Sequence, residues 1–347
     1  MANIAIIGAG SWGSSLSVLL SGNGHQVTVW SCFPEEVQML HTFREHRDKL
    51  PGVKIPERVL FTGKLQEAVE HADQVVFVVP SQTIRQNARA IAPLLSPEAI
   101  LVCCSKGLEE ATGLRLSEVI AEEAPDHCVV GLYGPSHAEE VAIGVPTTVV
   151  SASVDRDAAE AVQDAFMSPS FRVYTSTDLV GAEIGSALKN VIALCAGICD
   201  GLGFGDNSKA ALMTRGITEI ARLGTAMGAN AKTFSGLTGI GDLSHVLESL
   251  RGGVVGERGA RARPAGEQLE RGGDRLHRMG ARGRRAARRA RALARRLCAH
   301  RGRSRPQRRP RDADDGSRRG GARDGGARRA GAAPLPGCGG AARGGFA

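Results

Sequence analysis

A glycine-rich turn between an apolar run and a helix-like segment is the feature that most constrains the fold of this chain. The turn reads Gly8-Ala9-Gly10-Ser11-Trp12-Gly13, with the apolar run 3–7 before it, the helix-like segment 14–21 after it and a second apolar run over 26–30. At this spacing the first glycine permits a tight turn, the second lets a ligand approach the backbone, and the third lets the helix pack closely on the strand. The pattern predicts a β-α-β unit of a parallel sheet.

The same turn predicts a dinucleotide site, because the N-terminus of the following helix offers free N–H groups and a partial positive charge to a pyrophosphate. A turn with a purely structural role is the alternative, but it does not require three glycines at this spacing. An acid at the end of the second strand would favour NAD, and a base would favour NADP. That position reads Trp30-Ser31-Cys32-Phe33, with neither. The cofactor is therefore predicted to be NAD or NADP, without a choice between them.

Apolar runs continue to alternate with helix-like segments as far as residue 178. Runs without polar alternation are typical of strands that are buried on both faces of a parallel sheet. We predict an α/β Rossmann domain with a doubly wound, mainly parallel sheet over 1–178, and the start of an all-helical, incomplete substrate domain over 179–243. The further strands are expected at 74–79, 100–103, 129–133, 147–151 and 171–174, and the helical segments near 83–95, 109–123, 136–143, 181–194 and 207–227.

The composition changes abruptly near residue 244. Residues 1–250 contain 17 Lys and Arg against 28 Asp and Glu, a net charge of −11. Residues 251–347 contain 27 Arg and 8 acids, a net charge of +19, and no Lys, Asn, Ile, Thr, Tyr or Trp. We therefore treat 244–347 as a separate Arg-rich tail, aberrant or disordered. It could be a basic arm for nucleic acid, a disordered segment without a partner, or the product of a shifted reading frame.

The cysteines and the apolar runs indicate the compartment. The eight cysteines are scattered without paired Cys-x-x-Cys spacing, so we expect free, buried thiols in a reducing cytosol and no metal site. The N-terminal strand runs straight into the glycine turn and does not resemble a signal peptide. No apolar run comes close to the roughly 18 residues that a membrane span needs. We expect a cytoplasmic protein without membrane contact.

Polar motifs follow several predicted strands, where parallel sheets bind their ligands. Lys189 is distinctive, because it lies in an apolar segment where a charge without a function would be costly. A single lysine in the other motifs is most often a solvated surface residue. The motifs are Val79-Pro80-Ser81, Ser105-Lys106-Gly107-Leu108, Gly134-Pro135-Ser136-His137-Ala138, Lys189-Asn190-Val191 and Gly239-Ile240-Gly241-Asp242-Leu243.

Taken together, the motifs GAGSWG, VPS, SKGLE, GPSxAxE and GIGDL, with the segment 170–228, resemble bacterial NAD(P)-dependent glycerol-3-phosphate dehydrogenase over about residues 3–243. The resemblance implies a Rossmann domain followed by an all-helical domain, and a homodimer. It implies reversible hydride transfer between NAD(P)H and dihydroxyacetone phosphate, which gives sn-glycerol 3-phosphate for phospholipid synthesis. A related hydroxy-acid dehydrogenase, or a Rossmann scaffold with a basic nucleic-acid-binding tail, is the alternative.

The resemblance also implies roles for individual residues. Lys189 is the expected general acid/base, since an ammonium can stabilise the charge on a ketone oxygen and deliver its proton, and burial would lower its pKa toward the working range. The expected substrate contacts are Lys106, Gly134, Ser136, Lys189, Asn190 and Asp242. The expected cofactor contacts are Gly8, Gly10, Ser11, Trp12, Gly13, Cys32, Lys106 and Ala138.

The sequence departs from the family in three places. Cys32 stands where the family often has Arg or His, and His137 where it usually has Phe, so we expect His137 in the core or at a pocket rim. About ten residues after Asp242 the family has Ser-Arg-Asn, whose Arg binds the substrate phosphate, whereas this chain reads Gly252-Gly253-Val254. A frame slip near codon 244 explains both this loss and the change to residues with GC-rich codons. The resemblance therefore predicts an impaired enzyme.

Overall fold

The structure is a computed structural model, and it describes residues 1–245 except for the side chain of Asp200. Strands and helices alternate along most of this range. The strands are β1 (Asn3–Ile7), β2 (Gln26–Trp30), β3 (Leu60–Thr62), β4 (Gln74–Phe77), β5 (Ile100–Cys103), β6 (Val129–Tyr133), β7 (Thr147–Ala152) and β8 (Phe171–Ser176). The helices are α1 (Ser11–Gly22), α2 (Pro34–Phe43), α3 (Leu65–Val69), α4 (Ile84–Ile91), α5 (Leu116–Glu123), α6 (Ala138–Ala142), α7 (Arg156–Phe166), α8 (Leu179–Gly201) and α9 (Asp206–Ala226).

The eight strands form one sheet in the order β3-β2-β1-β4-β5-β6-β7-β8. Every neighbouring pair is parallel except β6 and β7. The chain moves outward from β1 in one direction to β2 and β3, and in the other to β4 and β5, so a topological switch point lies between β1 and β4. The predicted α/β Rossmann domain with a doubly wound, mainly parallel sheet is confirmed.

Two apolar clusters cover the two faces of this sheet. In β1, Ile4 and Ile6 belong to one cluster while Ala5 and Ile7 belong to the other. This alternation follows from the period of two in a strand, and it explains why the run has no polar residue after Asn3. Each fully buried aliphatic side chain contributes about 1.5–3 kcal/mol to folding. Burial of both faces therefore stabilises the central strands of the sheet.

The helical part packs against the sheet through α8, which contacts β6, α9 and the turns that follow α9. After α9 a 3₁₀ turn (Ala231–Ser235) and a π-helical turn (Leu237–Gly241) lead to Asp242. Gly185 of α8 permits close contact with this region, since a Cβ there would lie 2.3 Å from the carbonyl oxygen of Thr238. The glycine thus brings the chain before Asp242 against α8, one turn before Lys189.

The sequence did not predict every element. We missed β3, which is a three-residue edge strand, and the helices α2, α3 and α7. Only Glu36 and Leu40 of α2 are buried, so this helix has no wide apolar stripe to detect. A signal for α7 was present, because Asp155 caps the helix by accepting a hydrogen bond from the N–H of Ala158.

The membrane expectation needs a correction. Leu179–Cys199 is long and apolar enough to cross a membrane by length and composition, so the statement that no such run exists was wrong. The helix nevertheless has its charged residues paired inside the protein. Glu183 accepts hydrogen bonds from Arg115 and from the N–H and hydroxyl of Ser117. Such pairing is typical of the core helix of a globular domain.

The cysteine expectation was partly wrong as well. All six cysteines in the described range are free thiols, but Cys32 and Cys128 are exposed, and only Cys103 and Cys104 are buried. Both exposed cysteines lie at the ends of elements, where the apolar pattern stops. The other two, Cys298 and Cys338, and almost all of the predicted tail 244–347 lie outside the described residues. The predicted domain bounds at 178 and 243 remain predictions.

Candidate active site

Two lysines and one aspartate from three distant segments meet at one point. Lys106 follows β5, Lys189 lies on α8, and Asp242 follows the π-helical turn. The Lys106 ammonium donates to Oδ2 of Asp242 at 3.0 Å and to Oδ1 at 3.2 Å, and the Lys189 ammonium donates to Oδ1. Three of the residues that the resemblance assigns to the substrate are thereby brought into direct contact.

The cluster is largely withdrawn from water. The side chains of Lys189 and Asp242 are 5% and 0% exposed, while that of Lys106 is 24% exposed. Burial, with the nearby charge of Lys106, lowers the pKa of Lys189 to about 8, and the carboxylate of Asp242 opposes this shift only in part. Lys189 can therefore give up or take up a proton near neutral pH, which an ordinary surface lysine cannot do.

The loop after β6 forms one side of the cluster. The carbonyl of Gly134 accepts from the Lys106 ammonium at 3.1 Å and from the Ser136 hydroxyl at 3.3 Å. Gly134 has φ +152°, and a Cβ there would lie 3.0 Å from both the carbonyl oxygen of Thr148 and the Cα of Val149. Only glycine fits this close passage. Asn190, the next residue after Lys189, is exposed.

The glycine turn fits a dinucleotide. Gly8 has φ +116°, and a Cβ at Gly13 would lie 1.9 Å from the carbonyl oxygen of Gly8, so these two glycines are needed by the fold. A Cβ at Gly10, in contrast, would meet nothing within 4 Å. The first turn of α1 contains no acidic residue. The open space at Gly10 and the free N–H groups of α1 form a cradle for a pyrophosphate.

A cleft of about 600 Å³ extends from this turn. It is lined by the predicted cofactor contacts Gly8, Gly10, Ser11 and Cys32, and also by side chains that the sequence did not single out: Glu36, Lys49, Thr83, Gln86 and Asn87. Tertiary structure alone brings this second group together, because its members lie in α2, the following loop and the segment before and within α4. The pattern of apolar residues carries no signal for them.

One hydrogen bond links the cleft to the segment that carries Lys106. Ser105, the residue before Lys106, donates its hydroxyl to the carbonyl of Val79 at 2.6 Å, and Val79 lines the cleft. Trp12 and Ala138, two further predicted cofactor contacts, belong to one small apolar cluster with Leu50 and Val53. Gly8, Gly10, Ser11 and Cys32 thus line the cleft, whereas Trp12 and Ala138 pack in the small apolar cluster. Lys106 belongs to the lysine cluster and does not line the cleft.

Two histidines lie beside the cluster. The rings of His137 and His245 are 3.9 Å apart between centroids, with planes inclined by 41°. Burial and the proximity of His137 lower the pKa of His245. His137 is half-buried, and its place in the core or at a pocket rim stays a prediction. Within residues 1–245 no group of three or more metal-ligating side chains occurs.

Comparison with known proteins agrees with this geometry. Residues 3–159 match the family model for the N-terminus of NAD-dependent glycerol-3-phosphate dehydrogenase, and residues 178–301 match the model for its C-terminus. The second match continues past residue 243, where the resemblance that we identified in the motifs ends.

Individual relatives and structures give the same result. The chain is 51% identical over 249 residues to glycerol-3-phosphate dehydrogenase [NAD(P)+] of Agathobacter rectalis, which covers 72% of this chain and 74% of the relative. It is 54% identical over 243 residues to the protein of the same name from Desulfitobacterium hafniense, covering 70% and 69%. The crystal structure of glycerol-3-phosphate dehydrogenase from Coxiella burnetii superposes with a TM-score of 0.69 at 34% identity, covering 71% of this chain and 75% of that one. This chain belongs to the NAD-dependent glycerol-3-phosphate dehydrogenase family.

Proposed function

We propose that the protein is an NAD(P)-dependent glycerol-3-phosphate dehydrogenase that interconverts dihydroxyacetone phosphate and sn-glycerol 3-phosphate. The observation that carries this proposal is the buried Lys106–Asp242–Lys189 cluster beside a cleft built on a dinucleotide turn. Ketone reduction needs a proton donor and a stabilised negative charge at one oxygen, and this cluster supplies both. Glycerophospholipid synthesis in the cytoplasm is the process that such a product serves.

The chain's own residues account for the proton. A bound NAD(P)H supplies the hydride. Lys189 would donate its proton to the oxygen that gains charge, and in the reverse direction the neutral amine would accept the proton of the alcohol. Asp242 orients the ammonium of Lys189, and Lys106 adds a second positive charge at the same point. The low exposure of Lys189 and Asp242 strengthens these electrostatic contacts by excluding water.

The remaining assignments follow the family. Gly134, Ser136 and Asn190 are proposed to contact the substrate, and a homodimer is proposed as the assembly. The chain at 252–254 reads Gly-Gly-Val instead of the Ser-Arg-Asn of the family. A charge-assisted hydrogen bond contributes roughly 1.5–3 kcal/mol, so the loss of an arginine that binds phosphate impairs turnover severely.

We further propose that residues 244–347 derive from a shifted reading frame and that the chain as given binds cofactor weakly. Nucleic acid is not expected as a partner. Residues 251–347, with a net charge of +19, would adhere to any polyanion, so retention on DNA counts only if a scrambled segment of equal charge is retained less.

The decisive experiment compares two chains. One is the sequence as given, and the other is the product of the same gene with one base shifted at codon 244. Each is mixed with NADH or NADPH and with dihydroxyacetone phosphate or a 2-keto acid, and the loss of reduced cofactor is followed. Lys189→Met in the reframed chain is the control for the site.

The proposals predict turnover of dihydroxyacetone phosphate by the reframed chain, little or none by the original, and none by the lysine variant. Full turnover by the original chain would contradict the frame-slip account. A shifted frame that does not encode Ser-Arg-Asn would contradict it as well. Turnover of the keto acid in preference to dihydroxyacetone phosphate would favour the hydroxy-acid alternative and refute the main proposal.

A further inference from the structure

The far end of the cofactor cleft contains a cationic side chain, whereas residues 30–33 at the end of β2 include no charged residue. Cys32 and Phe33 line this region, together with Glu36 of α2 and Lys49 of the loop that follows α2. In a dinucleotide fold this is the place where the adenosine ribose lies, and an acid or a base there distinguishes NAD from NADP. The two charged side chains at this end therefore decide whether the cleft favours the 2′-hydroxyl of NAD or the 2′-phosphate of NADP.

Glu36 is not available to a ribose. Its Oε1 accepts from Nε2 of His46 at 2.9 Å and from the Lys49 ammonium at 2.6 Å, and its Oε2 accepts from the Ser31 hydroxyl. The side chain is only 9% exposed. Although burial raises the pKa of Glu36, the hydrogen bonds from Lys49, Ser31 and His46 outweigh it, and the pKa lies below its ordinary value. Glu36 is thus a charged group whose acceptors are largely occupied by protein.

The same network fixes Lys49 at two points. The N–H of Lys49 donates to Nδ1 of His46 at 3.2 Å, which assigns the ring proton to Nε2 and directs it toward Glu36. The ammonium is fixed by Glu36, yet the side chain of Lys49 is 50% exposed. One of its three N–H groups serves Glu36, so the other two can serve a ligand. The cleft therefore presents a positioned ammonium to the ribose, with no carboxylate free to accept its hydroxyls.

We infer that Lys49 binds the 2′-phosphate of NADP, and that this chain prefers NADP to NAD for that reason. The inference rests on the proposed function only in needing a dinucleotide in the cleft. Glu36, His46 and Ser31 are positioning residues in this account, because they act on the phosphate only through Lys49. The 2′-phosphate is thus recognised by the loop after α2, which supplies the basic residue that is absent at 30–33.

Equilibrium binding tests this without turnover. The full chain is titrated with NADPH and NADH, and separately with the fragments 2′,5′-ADP and 5′-AMP, which differ only by the 2′-phosphate. The variants are Lys49→Met, Lys49→Arg and the matched control Lys54→Met. Lys54 lies in the same loop and is 71% exposed in an ion pair with Glu45, but it does not line the cleft.

The chain as given is expected to bind NADPH more tightly than NADH. Lys49→Met is expected to weaken NADPH and 2′,5′-ADP about tenfold, the effect of one half-exposed charge-assisted contact, and to change NADH and 5′-AMP by less than about twofold. Lys49→Arg should keep the preference, and Lys54→Met should change nothing.

Two results would overturn the inference alone: tighter binding of NADH than NADPH by the unmodified chain, or equal effects of Lys49→Met on both cofactors. The proposed function would stand in either case. Binding of neither dinucleotide by the reframed chain, titrated in parallel, would overturn the cofactor site itself, and the inference with it.

Discussion

The ligand-binding role of Gly10 and the structural role of Gly13 in the glycine turn can be separated by adding one methyl group at a time. Gly10→Ala places a Cβ in open space, with nothing within 4 Å, whereas Gly13→Ala places it 1.9 Å from the carbonyl oxygen of Gly8. The first change should therefore spare the fold and fill the cradle for the pyrophosphate. The second should damage the fold, because a backbone atom cannot yield as a flexible side chain does.

The magnitudes follow from the local geometry. Gly10 has φ −62° and ψ −173°, which alanine also adopts. Its poorer capping of α1 is offset by the lower entropy of the unfolded chain, so the change in the free energy of unfolding should stay within about 1 kcal/mol. Overpacking at Gly13 should cost about 3 kcal/mol. The loss of two charge-assisted bonds to the pyrophosphate at Gly10 amounts to ~3 kcal/mol or more, which is a hundredfold or more in affinity.

The assay pairs urea denaturation with titration of NADPH for each variant. Gly22→Ala serves as the control, since this glycine also has nothing within 4 Å of its Cβ position but lies at the far end of α1. If Gly10→Ala binds NADPH as the parent does, the cradle is not where the pyrophosphate lies. If Gly13→Ala is as stable as the parent, the close contact with Gly8 does not constrain the turn.

Three further predictions concern titration and access. An NMR titration of the lysine side chains should show Lys189 losing its proton near pH 8. Ketone reduction should then slow above that pH, and alcohol oxidation should accelerate. A titration near the usual lysine value would contradict the role of burial. Asp242→Asn removes the counter-ion of Lys189, which should lower the pKa of Lys189 by a further 1 to 3 units or so, and an unchanged pKa would show that the ion pair is unimportant. Cys32 lines the cleft and Cys128 does not, so saturating NADPH should protect Cys32 alone from alkylation, and equal labelling of both thiols would exclude a ligand from that end of the cleft.

The central sheet could be predicted because its strands are buried on both faces. The runs 3–7, 100–103 and 129–133 contain scarcely a polar residue and were placed to the residue. Elements with one narrow apolar face could not be found in this way. β3 has three residues, and α3 has five, with only Ala68 and Val69 buried. Length and burial on two faces decided which elements the pattern revealed.

The site was predictable by resemblance and not by spacing. Lys106 and Asp242 are 136 residues apart, and Lys189 is 53 residues from Asp242, so no local pattern joins them. The apolar setting of Lys189 did indicate a charge with a function, and the structure explains that setting by the position of Lys189 on the buried face of α8. The sequence did not indicate a role for Lys49 in the cleft, because that role depends on a contact with Glu36 that only the folded loop creates.

The residues proposed for proton transfer and the residue that would bind the substrate phosphate lie on opposite sides of residue 244, which leads to a final prediction. Lys106, Lys189 and Asp242 all precede residue 244, whereas the family's Ser-Arg-Asn would fall at 252–254, where this chain has Gly-Gly-Val. Two bonds from an arginine to a phosphate correspond to about a hundredfold or more in specificity, and the reframed chain should prefer dihydroxyacetone phosphate to dihydroxyacetone by at least this factor in kcat/KM. The chain as given should show almost no such preference, because the proton donor is retained while the phosphate ligand is lost. A strong preference for the phosphorylated ketone in the chain as given would mean that other residues bind the phosphate, and that the tail does not explain any loss of activity.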